Sequence, residues 1–272
     1  KNAKDIIESA IVSAIDSKPY EIIVVDGKST DGTRQIIDKY AAKVKVLEDP
    51  GKGVAVARQI GVNEAKGEYI YFLGCDNEIE PNSISRTKEY MLSHDYVYCG
   101  MLTRIKDTSN YMAFCNNERW KYKITEGPKS IVGTPFIVKT DILRKFPYNT
   151  NLKFADDTDL CERITSAGYK IGYSDVICYE TAENSVKELR TRYKMYGISD
   201  AEFYNQHKQQ WTTARKIKSL MHPFISEFVL GLRAAEGLWT KVKLLPYLTL
   251  VTYYRYISWF EHRNILTSCS VL

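Results

Sequence analysis

The chain has 272 residues, 44% of them hydrophobic and 26% charged, enough to bury a large core and to exclude a disordered polymer. A net charge of +5 is modest, and no nucleic-acid partner is expected; the Lys and Arg instead gather among aromatics in residues 186–218, a pattern suited to anionic surfaces. Six scattered cysteines (Cys75, Cys99, Cys115, Cys161, Cys178 and Cys269), with no CxxC and no histidine at zinc-finger spacing, argue against a disulfide framework and a structural zinc, and for reduced, mostly buried thiols in a cytoplasmic setting.

In chain order, AKDIIESAIVSAI (3–15) repeats apolar residues at helical spacing, Lys18-Pro19 breaks the pattern, and EIIVV reads as a buried strand. A helix is predicted over 33–42, a short strand over 44–47, a loop over 49–53, a helix over VAVARQIGVNEA, and a strand over 69–73 that ends in the polar loop GCDNEIEP. Past Pro81 come a helix at about 82–92, the strand YVYCG, a Tyr- and Trp-containing stretch at 109–124, a turn, strand and capped helix in GTPFIVKTDIL, then an acidic loop, a helix stopped by Gly168 and a strand in KFADDTDLCERITSAGYKIGY. Short apolar strands alternating with helices define an α/β class with a sheet covered on both faces, and place ligands at the carboxyl ends of its strands. The expected domains are 1–184 and a helical, basic and aromatic region over 185–272.

Four constellations carry chemistry. Asp26, at the end of a buried strand, can accept from a nucleobase N–H or a sugar hydroxyl, or cap a helix; Asp31-Gly32-Thr33 reads as capping and turn. Asp76 and Glu78 alternate on one loop and can share Mg²⁺ or Mn²⁺, which would neutralise a departing diphosphate. Asp156, Asp157 and Asp159 crowd a helix start, where the macrodipole favours acids but mutual repulsion raises the proton affinity of the most buried one, as a general base needs. Lys52, between two glycines, and Arg58, on the following helix, can approach phosphate or nucleotide.

Taken in order, EIIVVDGKSTDGT, GKGVAVARQIGVNEAKGEYIYFLGCDNEIEP, GTPFIVKTDIL and FADDTDLCERITSAGYKIGY resemble the family-2 inverting GT-A glycosyltransferases over most of residues 3–180. The resemblance implies a GT-A, Rossmann-like, mixed and mainly parallel sheet, a nucleotide-diphosphate sugar donor, and transfer with inversion to a hydroxyl or phosphate acceptor. It implies Asp26 and Arg58 at the nucleotide, Asp76 as the metal-binding member of the DxD motif, and Asp157 as general base supported by Asp156; beside these, Lys52 is expected at the nucleotide sugar and Gly133 and Thr134 at acceptor or phosphate. Gly74 stands where many relatives carry the first Asp of DxD, so Glu78 is expected to compensate, and Glu180 stands where relatives often carry His, as a further candidate ligand. The strand that relatives carry before the first helix is not in this sequence, so preceding residues and an interruption beside EIIVV are expected; an orphaned ladder edge would otherwise result. The competing readings are a nucleotidyltransferase of similar fold, which calls for a Gly- and Arg-rich amino-terminal loop, and a noncatalytic sugar-nucleotide or membrane-binding module.

SVKELRTRYKMYG resembles the basic helix that follows the catalytic domain in relatives acting on lipid-linked acceptors, which implies that Arg190, Arg192 and Lys194 contact a diphosphate or phospholipid headgroups. The apolar run Leu244 to Phe260 is 17 residues long and carries Pro246 and Arg255, short for a membrane span. An interfacial helix pair is expected, with a packed subdomain or homo-oligomer contact as the alternative. The location expected from this is peripheral, on the cytoplasmic face of a membrane.

Overall fold

The computed structural model describes residues 1–152, 154–183 and 185–263; Cys269 lies outside them. The elements are α1 (Ile7–Asp16), β1 (Ile23–Asp26), α2 (Thr33–Asp38), β2 (Lys45–Glu48), α3 (Val54–Glu64), β3 (Tyr69–Phe72), β4 (Asn77–Ile79), α4 (Ser83–Ser93), β5 (Tyr98–Arg104), α5 (Tyr111–Lys123), β6 (Gly127–Pro128), β7 (Phe136–Lys139), α6 (Thr140–Lys145), α7 (Asp156–Ser166), β8 (Ile171–Glu180), α8 (Val186–His207), α9 (Thr213–Pro223), a π-helical segment (Phe224–Val229), α10 (Leu230–Ala234) and α11 (Leu238–His262). The chain forms two compact units: Lys1–Lys106 with Ile124–Thr181, and Asp107–Lys123 with the chain from Ala182 onward. The second unit thus takes α5 from the middle of the sequence, which the expected boundary at 184 does not include.

In the first unit β1 and β2 form a parallel pair, with Asp26 opposite Glu48, and the larger sheet runs β3-β7-β5-β8-β4 with β6 on β8. Its β5–β8 ladder is parallel and its other ladders antiparallel. The architecture is the expected α/β one with a mixed sheet, but parallel pairing is confined to two ladders. Continuous apolar character reports burial on both faces, true of β5 from Tyr98 to Met101, and carries no information on strand direction. Among the described residues β1 and β2 pair only with each other. Asn77–Ile79, expected as loop, is a strand on β8.

One close approach within this sheet sets the position of Tyr173. Gly100 on β5 leaves room for the Tyr173 ring of β8; a Cβ there would come within 2.4 Å of it. Buried Cys99 packs with Met91, Tyr96 and Ile137, and buried Cys178 with Ile79, Met101 and Val176; all five described cysteines are free thiols.

The second unit is a helical subdomain. Leu189 and Tyr193 of α8 pack with Leu244, Tyr247, Leu248 and Val251 of α11, together with Cys115 and Ala235. The helices approach so closely at Gly197 that a Cβ would lie 2.3 Å from the Arg255 carbonyl oxygen. The run expected at a membrane interface therefore supplies this core, because its apolar residues recur at helical spacing and meet a complementary stripe on α8. No helix among the described residues is long and apolar enough to cross a membrane. Fully buried Glu227, in the π-helical segment after Pro223, accepts hydrogen bonds from Arg119 Nε (2.7 Å), Lys123 Nζ (2.9 Å) and Arg255 Nη1 (2.6 Å). Arg255 also donates to Asp200.

Candidate active site

The acid-rich exit of β1 is closed by its own hydroxyls. Buried Asp26 accepts from Ser29 through both the backbone N–H (3.1 Å) and the hydroxyl (2.6 Å). Asp31 accepts from the Thr33 hydroxyl (2.6 Å) and backbone N–H (3.0 Å), and the Thr33 hydroxyl bond above all lowers its pKa to about 2. Asp31 is thus the turn-former ahead of α2. Asp49 is a residue the sequence reading passed over: its N–H donates to the Asp26 carbonyl, its carboxylate is buried, and Oδ1 has no hydrogen-bond partner. A buried, unsatisfied carboxylate oxygen beside the end of β1 is an acceptor available to a ligand.

Arg58 brings the second constellation together. From the start of α3 its Nη1 donates to Asp156 (2.6 Å) and to Asp157, and its Nη2 to the Thr134 hydroxyl (2.5 Å). The contact with the two aspartates and Thr134 is one the sequence reading, which set Arg58 against the nucleotide, did not anticipate. The α7 amino terminus tolerates Asp156 and Asp157 because backbone N–H groups and the helix dipole face them. Burial raises the Asp157 pKa, Arg58 opposes the rise and Asp156 adds to it, leaving the carboxyl at about 6. Burial also works against the Arg58 charge, but Asp157 and Asp156 outweigh it and hold the guanidinium protonated. Asp159, expected as a cap, is buried and accepts from Arg163 Nε one turn later at 2.8 Å.

Tyr148 and Tyr173 frame this cluster, and neither stood out in the sequence. The Tyr148 ring lies 5.9 Å from the Arg58 guanidinium and edge-on to Phe72 at the end of β3. Its buried hydroxyl has no partner. The Tyr173 hydroxyl accepts from the Gly133 N–H at 2.8 Å, fixing the loop that presents Thr134.

The metal candidates divide. Strand pairing sets Asn77 opposite Glu180 and Glu78 opposite Tyr179, so Glu78 and Glu180 fall on opposite faces of the β4–β8 ladder. Glu78 is held by Lys106 at 2.9 Å. The expected set of Asp76, Glu78 and Glu180 is therefore not assembled, and no group of three metal-ligating side chains occurs among the described residues. Asp76 and Glu180 do share a neighbourhood: the Asp76 carbonyl accepts from the Thr181 N–H (2.9 Å), and after burial it is these carboxylates that help push the Cys178 thiol up. A Cβ at Gly74 would meet Asp76 Oδ1 and Asn77 Oδ1 at 2.6 Å each, so the space a first DxD aspartate would need is filled by these oxygens. Two carboxylates and an amide oxygen are hard donors that suit Mg²⁺ or Mn²⁺ completed by substrate phosphates.

Lys52 is exposed in the loop before α3. In the second unit Arg190 is exposed, Lys194 is half-buried, and Arg192 is engaged by Glu183, which also accepts from Asn116 Nδ2 at 2.7 Å.

A mixed sheet with an acidic loop after β3 and an aspartate-rich helix start defines a GT-A-type fold. The fold is shared with a mannosyltransferase, PcManGT from Pyrobaculum calidifontis in complex with GDP-Man and Mn²⁺ (TM-score 0.61, 18% identity, 97% of this chain and 81% of that one). It is shared also with S. aureus TarS 1-349 in complex with UDP-GlcNAc (TM-score 0.51, 17% identity, 96% and 86%). Residues 1–150 match Glycosyl transferase family 2, and the chain belongs to that family. Among curated relatives, the putative teichuronic acid biosynthesis glycosyltransferase TuaG of Bacillus subtilis is 36% identical over 104 residues, 36% of this chain and 41% of that protein. Chondroitin synthase of Pasteurella multocida is 23% identical over 220 residues, 76% of this chain and 23% of that protein. The chain thus matches less than half the length of either.

Proposed function

We propose that the first unit transfers a sugar from a nucleotide-diphosphate sugar to an acceptor hydroxyl with inversion, Asp157 serving as general base. The observation that carries this is the Arg58–Asp156–Asp157 cluster, Asp156 buried and the other two half-buried, in which the Asp157 carboxyl has a proton affinity raised toward neutrality yet is mostly ionised at pH 7. In the reaction the acceptor O–H gives its proton to Asp157, the oxygen bonds to the anomeric carbon, and the bond to the diphosphate breaks with its electron pair leaving on the diphosphate. Asp156 and Thr134 hold Arg58 in place against Asp157. Asp26 and Asp49 are the acceptors offered to base or ribose, and Lys52 is offered to phosphate. Asp76 and Glu180 would hold Mn²⁺ or Mg²⁺, which when bound neutralises the diphosphate. The nucleotide sugars bound by the two solved relatives support a donor of this class.

The acceptor is proposed to be a glycan or a lipid-linked hydroxyl or phosphate, with Gly133 and Thr134 of the first unit beside it. A peripheral membrane location and self-association belong to the same reading. The test is donor turnover by the full chain with UDP- and GDP-sugars and Mn²⁺. Asp157→Asn is expected to lower turnover by about 10²–10⁴-fold while donor still raises the melting midpoint. Turnover equal to wild type removes Asp157 as base.

A further inference from the structure

The helical segment that begins at Thr213 has its amphipathicity turned outward. Ala214, Ile217, Met221 and Phe224 recur at three- and four-residue steps and form one stripe. In a helix packed on its own domain that stripe faces inward; here Ile217 is 57% exposed and Met221, Phe224 and Ile225 are exposed with it. The opposite side of the same helix supplies the buried Pro223 and the half-buried Lys216 and Ser219. Arg215 covers the Trp211 ring at 4.5 Å. The orientation is anchored one turn further on, where Glu227 is tied to Arg119, Lys123 and Arg255.

Charge is equally one-sided. Residues 203–226 contain no Asp or Glu but carry Lys208, Arg215, Lys216 and Lys218. Residues 237–260 also lack a carboxylate; there Leu238 is 76% and Trp239 79% exposed, close in sequence to Lys241 and Lys243. An apolar stripe bordered by cations, with no carboxylate to repel a phosphate, complements an interface of acyl chains under anionic headgroups.

We propose that α9 and the start of the π-helical segment, Thr213–Ile225, form a docking face for an anionic lipid surface. This deepens the peripheral location proposed above by naming the face and the headgroup charge. It is measured with no donor or acceptor present, so its failure leaves the transfer reading untouched. In flotation assays, the full chain is expected to bind vesicles of phosphatidylcholine with phosphatidylglycerol about tenfold more than phosphatidylcholine alone, and raised salt should erase the difference. Ile217→Glu with Met221→Glu should remove binding, and Lys218→Gln, at the exposed cation that flanks the stripe, should weaken it on anionic vesicles only, each with an unchanged circular dichroism spectrum. Three results overturn the proposal: no binding by wild type, equal binding to neutral vesicles, or light scattering that shows a dimer split by the Ile217/Met221 variant without vesicle binding. Should that variant misfold, the lipid and salt comparisons on wild type decide.

Discussion

At the scale of single residues, the site turns on how one guanidinium is divided between two carboxylates. Asp157 is raised to about 6, so the ionised form of the proposed base accumulates as pH rises through that value, and turnover should climb across it and level off above. The stability sign is opposite: a carboxyl raised above its unfolded value favours the fold when protonated, so this contribution fades between about pH 4 and 6. Arg58 is the group that restrains the rise. Arg58→Gln should shift the acidic limb of the rate profile to higher pH and, by leaving buried Asp156 and half-buried Asp157 without their cation, cost about 3 kcal/mol in denaturant titration. The acidic run at 156–159 and the Arg of VAVARQ are each visible in the sequence. Their contact is not, because Arg58 and Asp156 are 98 residues apart and nothing local to either encodes the partner.

Within elements, period and register decide which side chains meet. The spacing of DNE suggested two carboxylates on one cation, but Asn77–Ile79 pairs with β8, and the two-residue pleat turns Glu78 toward Tyr179 and Lys106. Asp76→Asn should therefore abolish the Mn²⁺-dependent part of the thermal shift given by a nucleotide sugar, whereas Glu78→Gln should leave it; the reverse order would restore Glu78 as ligand. Helices were legible from apolar spacing, and α3, α7 and α11 follow it. The inward turn of α11 and the outward turn of α9 were not, since both sequences are amphipathic and only the neighbour on each side distinguishes a core stripe from an open one. Gly197, unremarkable in sequence, marks where α8 admits α11.

On the scale of the molecule, the two units rest on different physics. The first has strand ladders and apolar packing; the second also surrounds a single buried carboxylate with three cations. Burial works against the Glu227 charge, but Arg119, Lys123 and Arg255 outweigh it and depress its pKa. A depressed carboxylate stabilises the fold above its unfolded value of about 4.3, and the contribution is lost as pH falls below it. Acid titration followed by circular dichroism should show loss of helix beginning below about pH 4.3 in wild type, and Glu227→Gln should lower stability at pH 7 by about 3–5 kcal/mol, removing that acid-dependent part. Burial pulls Lys123 down to about 8 against the attraction of Glu227, so its contribution favours the fold at alkaline pH and declines between about 10.4 and 8.

The sequence by itself determined the alternation of strands and helices, the positions of the acid-rich loops and the family, because backbone propensity, apolar period and motif order are local properties read along the chain. Only the tertiary structure decided that Arg58 faces Asp157, that Glu78 and Glu180 fall on opposite faces of their ladder, and that the long aromatic run packs inward while α9 shows its apolar side. Those choices depend on strand register and on which surfaces close over one another, and such through-space terms have no counterpart in any short window of residues.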